Sequence, residues 1–70
     1  MNFPELRAAI ARVGITNRRL AEYLGLSEQA FYNKIQGETE FKGSEIKGLA
    51  KILHLSMQDV NAIFFDKDVN

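Results

Sequence analysis

The chain has no cysteine and no tryptophan, and it has a single histidine and a single proline in seventy residues. Without cysteine, neither a disulfide framework nor a thiolate metal site can be built, which fits a reducing compartment. The lone histidine, His54, would need carboxylates to complete a zinc site, and it reads as a loop residue just past a helix end. No metal and no cofactor is expected. Apolar runs stay well short of the ~18 residues that span a bilayer, and the start, MNFPELRAAIARVG, has no basic leader followed by an apolar core. A cytoplasmic protein without a membrane partner is expected. No Ser, His and Asp set, clustered carboxylate pair or glycine-rich phosphate loop can be assembled, and Glu38 and Glu40 read as a solvated pair, so an enzyme is not expected.

Charge excess is missing too. Nine Lys and Arg balance nine Asp and Glu, whereas nucleic-acid-binding domains usually carry a basic excess. The distribution along the chain is less even. Residues 1–34 hold Arg7, Arg12, Arg18, Arg19 and Lys34 against Glu5, Glu22 and Glu28, while the end holds Asp59, Asp66 and Asp68 against Lys67.

What is present is helical periodicity. Residues 1–70 read as one small domain, short enough to bury only about 60% of its unfolded surface. A first helix is expected from about Pro4 to Val13, with Leu6, Ala9, Ile10 and Val13 on one stripe and Gly14 as its stop. A second runs from Asn17 to about Leu24 behind Thr16 as N-cap, and a third follows Ser27 to about Gln36, stopped by Gly37. Phe41 sits in the following loop as a core plug. A fourth helix runs from Gly43 or Ser44 to Leu53, with Ile46, Leu49, Ala50 and Leu53 inward and either Lys42 or Ser44 as cap. Ser56 and Asp59 form a capping box for a fifth, which carries Val60, Ile63 and Phe64. A frayed tail is expected at about 66–70. No stretch alternates as a strand would, so the fold class is all-α.

The stretch LAEYLGLSEQAFYNKIQG, residues 20–37, carries the functional signal. Ala21, four residues before Gly25, allows two helices to pack closely across a tight turn, a geometry suited to presenting the second helix to the major groove. With Phe31 and Ile35 placed inward, Gln29, Asn33 and Gln36 point away from the core and Tyr32 flanks them. Amides can bond adenine N6 and N7, and a carboxylate can accept from cytosine N4. Glu28, Gln29, Tyr32 and Asn33 are therefore base-reading candidates, with the division of labour between Tyr32 and Asn33 open. Phosphate contacts are expected from helix starts and cations: Thr16, Asn17, Arg18, Arg19, Ser27, Lys34, Gln36 and Lys42.

RRLAEYLGLSEQAFYNKIQG resembles the helix-turn-helix of the Cro and repressor (Xre-type) family, and the likeness continues through SEIKGLAKILHLSMQDV. FYNKIQGETEFKGSEIKGLAKILHLS is similar to small regulators of Gram-positive phages and prophages. The resemblance implies a five-helix, lambda-repressor-like DNA-binding domain, with its helix-turn-helix at about 17–36. It also implies a bacterial cytoplasm or nucleoid location, double-stranded DNA as partner and a homodimer on a palindrome. Leu20, Leu24, Leu26, Phe31 and Ile35 take core positions, and Ala21 and Gly25 the small-residue and turn positions. The chain departs from the family pattern at Lys34, three before the glycine that ends the third helix, where many members are apolar. The loop that often carries basic residues here carries Glu38 and Glu40. Of Phe64 and Phe65, one ring is expected in the core; the other is either a dimer contact or tucked with it under the first helix, and Leu55 and Met57 are alternatives for the contact. The expected function is a sequence-specific transcriptional regulator without a small-molecule effector. The alternative is a helix-turn-helix module that docks protein, such as an antirepressor, which zero net charge and the acidic loop favour.

Overall fold

The computed structural model describes residues 1–65, so the expected frayed tail lies outside the described residues. Five helices follow one another: α1 Phe3–Val13, α2 Asn17–Leu24, α3 Glu28–Ile35, α4 Gly43–Ile52 and α5 Met57–Phe64. There is no strand among the described residues, and none of these helices is long and apolar enough to cross a membrane.

Each helix start has a local cause. Thr16 Oγ1 accepts from the Arg19 N–H at 3.1 Å, and Ser27 Oγ accepts from the Ala30 N–H at 3.0 Å. Ser56 and Asp59 exchange both bonds of a capping box at 3.0 Å. Such caps contribute about 1 kcal/mol each. α1 begins one residue before Pro4 because Asn2 Oδ1 caps it through the Glu5 N–H at 3.1 Å. α4 starts differently. Lys42 is its N-cap, and an ammonium accepts nothing. Glu45 Oε1 instead reaches back to the Lys42 backbone N–H at 2.8 Å.

The ends share one device. At Gly25, φ +72°, the Leu26 N–H donates to the Ala21 carbonyl at 2.8 Å and the Gly25 N–H to the Glu22 carbonyl at 3.1 Å. This paired closure needs a left-handed residue, which glycine adopts without a Cβ clash. The same pair of bonds closes α4, with Leu55 N–H to the Ala50 carbonyl and His54 N–H to the Lys51 carbonyl. Here the left-handed residue is His54, φ +56°, and no other described non-glycine residue has a positive φ.

The core gathers Leu6, Ala9, Ile10, Leu20, Ala21, Phe31, Ile35, Leu49, Leu53, Ile63 and Phe64. Val13, expected on the buried stripe of α1, is 42% exposed; it is the last helical residue, and the chain turns away at Gly14. Phe41 does plug the core, edge-on to Phe31 and Phe64 with ring centroids 6.1 and 5.9 Å away. α2 packs on α3 and α4, and α5 closes over α1 and α4. The Asn2 N–H donates to the Ile63 carbonyl at 2.7 Å and pins the start of α1 to the end of α5. Gly48, inside α4, lets α2 come close: a Cβ there would stand 2.8 Å from Leu24 Cδ2.

Candidate nucleic-acid interface

The rotation of α3 follows from two side chains. Phe31 and Ile35 are buried at 0% and 4% exposure, which turns Glu28, Gln29, Tyr32 and Gln36 to solvent and leaves Asn33 half-buried at the edge of that face. This corrects the expected order: Asn33, placed by the spacing directly away from the core, is half-buried, and Tyr32, placed on the flank, is the more exposed of the two. Gln29 Nε2 donates to Asn33 Oδ1 at 2.9 Å, one turn along. Asn17, Glu28, Gln29 and Tyr32 line a shallow concavity of about 470 Å³ that joins the start of α2 to the start of α3.

Beside this concavity, α2 presents its first turn. The N–H groups of the first helical residues have no intrahelical acceptor, and the Thr16 cap takes only that of Arg19. Arg18 and Arg19 are exposed. Arg18 stands 3.8 Å from Glu22 one turn on, with both side chains solvated. Such a pair contributes about 0.5 kcal/mol at most, little enough to be exchanged for an anion. Leu20 and Ala21 anchor the helix beneath, and Leu24 and Leu26 pack partly buried against the core.

Lys34 is corrected by the structure. Positions 31, 34 and 35 share one helical face, so placing Phe31 and Ile35 inward takes Lys34 inward with them. Its side chain is 10% exposed and its ammonium lies 3.0 Å from Glu45 Oε1. It donates to the Glu40 carbonyl at 2.9 Å and sits 5.9 Å from the centre of the Phe41 ring. It has no free reach to a phosphate. Burial pushes the Glu45 carboxyl up, but the Lys42 N–H and the Lys34 ammonium outweigh it and hold the carboxyl below its ordinary value. Among the described residues no buried side-chain nitrogen or oxygen lacks a partner. The position three before Gly37 therefore keeps its inward orientation, with a neutralised charge where an apolar side chain was the pattern.

Residues 1–67 match the family model described as "Protein of unknown function (DUF739)". The chain belongs to the DUF739 family. No curated protein matches it significantly, and no solved structure does. The DUF739 match runs through all five helices, so the face of α3 lies within the matched unit.

Elsewhere on this DUF739 domain the expectations divide. Gln36 is the exposed C-cap residue of α3, at the opposite end from the concavity, and Lys42 is exposed at the start of α4. Of the two rings, Phe64, 9% exposed, is the one in the core, which leaves Phe65, 59% exposed, and Met57, 78% exposed, as the apolar groups open to a second copy. Leu55 packs against the core. Two residues escaped the sequence reading. Glu45 carried a signal, since it stands at the third position after a helix cap, where carboxylates reach back. Arg7 carried none: its Nη1 lies 3.5 Å from the Ile35 carbonyl, at the limit of a hydrogen bond, across the end of α3.

Proposed function

We propose that this DUF739 protein is a sequence-specific DNA-binding regulator of transcription, Cro-like or repressor-like and of phage or prophage type. In this reading the chain is a non-enzymatic, lambda-repressor-like domain. α2 and α3 act as a helix-turn-helix, α3 lies in the major groove, and α2 holds the phosphate backbone. Two copies bind half-sites about 34 Å apart, one helical turn.

The observation that carries this reading is the solvent face of α3. It gathers two amides, a carboxylate and a phenol on one side of a short helix, groups that read base edges, whereas bare cations read phosphates. Asn17, in the open first turn of α2, lines the same concavity, and Arg18 and Arg19 are exposed on that helix.

One observation favours the second reading, a protein-docking module. With Lys34 buried against Glu45, the interface has one cation fewer than the sequence suggested. Selection from a random duplex pool separates the readings, followed by anisotropy titration of the winner and of scrambled DNA at two salt concentrations. An enriched palindrome with salt-dependent binding supports the DNA reading. No enrichment, with weak binding lost at moderate salt, supports docking.

A further inference from the structure

The two amides on α3 are tied together. Gln29 Nε2 donates to Asn33 Oδ1 at 2.9 Å, and no second hydrogen bond is made by either side chain among the described residues. An amide carries one carbonyl oxygen and one NH₂ group. A bond between two amides engages one N–H of one side chain and one lone pair of the other's carbonyl, whichever side chain donates. The pair is left with one uncommitted carbonyl oxygen and one uncommitted NH₂, held a turn apart on a rigid helix.

An acceptor beside a donor matches adenine, whose major-groove edge offers N6–H and N7. Guanine, whose N7 and O6 are both acceptors, can be met only by the N–H groups and leaves the free carbonyl oxygen without a partner. Tyr32, half exposed between the two amides in sequence, adds an apolar ring suited to the thymine methyl of the same A·T pair. We propose that Gln29 and Asn33 form one adenine-reading unit, each fixing the other's amide, so that neither reads a base alone. This rests on the DNA reading above and goes beyond it by assigning the base and the coupling.

The test uses the full chain and the operator selected from the random pool. Gln29→Ala and Asn33→Ala should each weaken operator binding by about tenfold to a hundredfold and should relax the same A·T position. The double variant should lose no more than either single one. Replacing that adenine with 7-deazaadenine removes N7. It should cost the parent about tenfold and cost Asn33→Ala little. Gln29 is exposed and Asn33 half-buried with no bond to the core among the described residues, and thermal melts of the variants should match the parent. The proposal is overturned, with the DNA reading intact, if the two variants relax different base pairs, if their losses multiply in the double variant, or if the shared position is G·C. If the parent enriches no sequence, the DNA reading fails and the assignment of adenine fails with it.

Discussion

Leu24-Gly25-Leu26-Ser27 joins α2 to α3, and Leu53-His54-Leu55-Ser56 joins α4 to α5. The two turns follow the same path: paired closure around a left-handed residue, a leucine folded back on the core, and a serine that caps the next helix. Counted from that serine, Phe31 and Val60, Lys34 and Ile63, and Ile35 and Phe64 hold equivalent inward positions. Outward, α3 shows Glu28, Gln29, Tyr32 and Gln36, whereas α5 shows Met57, Gln58, Asp59, Asn61, Ala62 and Phe65. The shared turn sets which side of the following helix is buried. The residues placed on the other side set what that helix can bind: both faces carry amides and a carboxylate, but α3 sets the Tyr32 phenol among them, whereas α5 sets the exposed apolar Met57 and Phe65 there.

Lys34 is where the two units differ inside, and it gives the largest expected effect. Lys34→Met puts an apolar side chain where α5 has Ile63, but it leaves Glu45 buried without its cation. A loss of about 3–5 kcal/mol is expected, read from urea unfolding. Adding Glu45→Gln removes the orphaned charge and should recover most of that loss, because replacing both members of a buried pair is often close to neutral. If the single variant is as stable as the parent, the pair does not organise this end of α3.

Acid should sharpen the same contrast. The Glu45 carboxyl is held below its ordinary value of 4.5. In the parent its stabilisation is therefore complete above that pH and is lost as pH falls through the lowered value. Without the ammonium, burial raises the carboxyl, so Lys34→Met carries a penalty at neutral pH that vanishes as pH falls below the unfolded value. The stability gap between parent and variant should narrow as pH drops from 7 to below 4.5. A gap that stays constant would contradict this assignment of charge.

The turns themselves give a smaller and opposite pair of effects. Gly25→Ala puts a Cβ on a left-handed residue and should cost about 1–2 kcal/mol in thermal unfolding. His54→Gly relieves that strain at the equivalent point and should gain up to about 1 kcal/mol. The smallest expected effect is on Arg19→Ala: no change in stability, and a reduction of about 0.9 in the salt slope of DNA binding for a single lost phosphate contact.

Much of this arrangement is legible in the sequence because its causes are local. Thr16, Ser27 and Ser56 act within one turn of themselves, and Gly25 ends its helix by its own backbone freedom. The spacing of Phe31 and Ile35 marks the buried side of α3, although the order of Tyr32 and Asn33 on the open side does not follow from it. The errors fall where the cause lies on another helix or at a helix end. Lys34 reads as a surface cation until Glu45, on α4, is known to meet it. The choice between Phe64 and Phe65 depends on how α5 settles over α1 and α4, since adjacent residues point about 100° apart. Val13 follows the periodicity of α1 but outruns the neighbours that would cover it.

The central claim is that α3, and not the equivalent face of α5, meets DNA. Amide ¹H–¹⁵N spectra of the full chain, titrated with the selected duplex, test it most directly. The expected result is saturable, salt-sensitive shifts concentrated at Thr16–Arg19 and Ser27–Gln36, with Met57–Phe65 unmoved. Shifts centred on Met57–Phe65, or no saturable change anywhere, would contradict it.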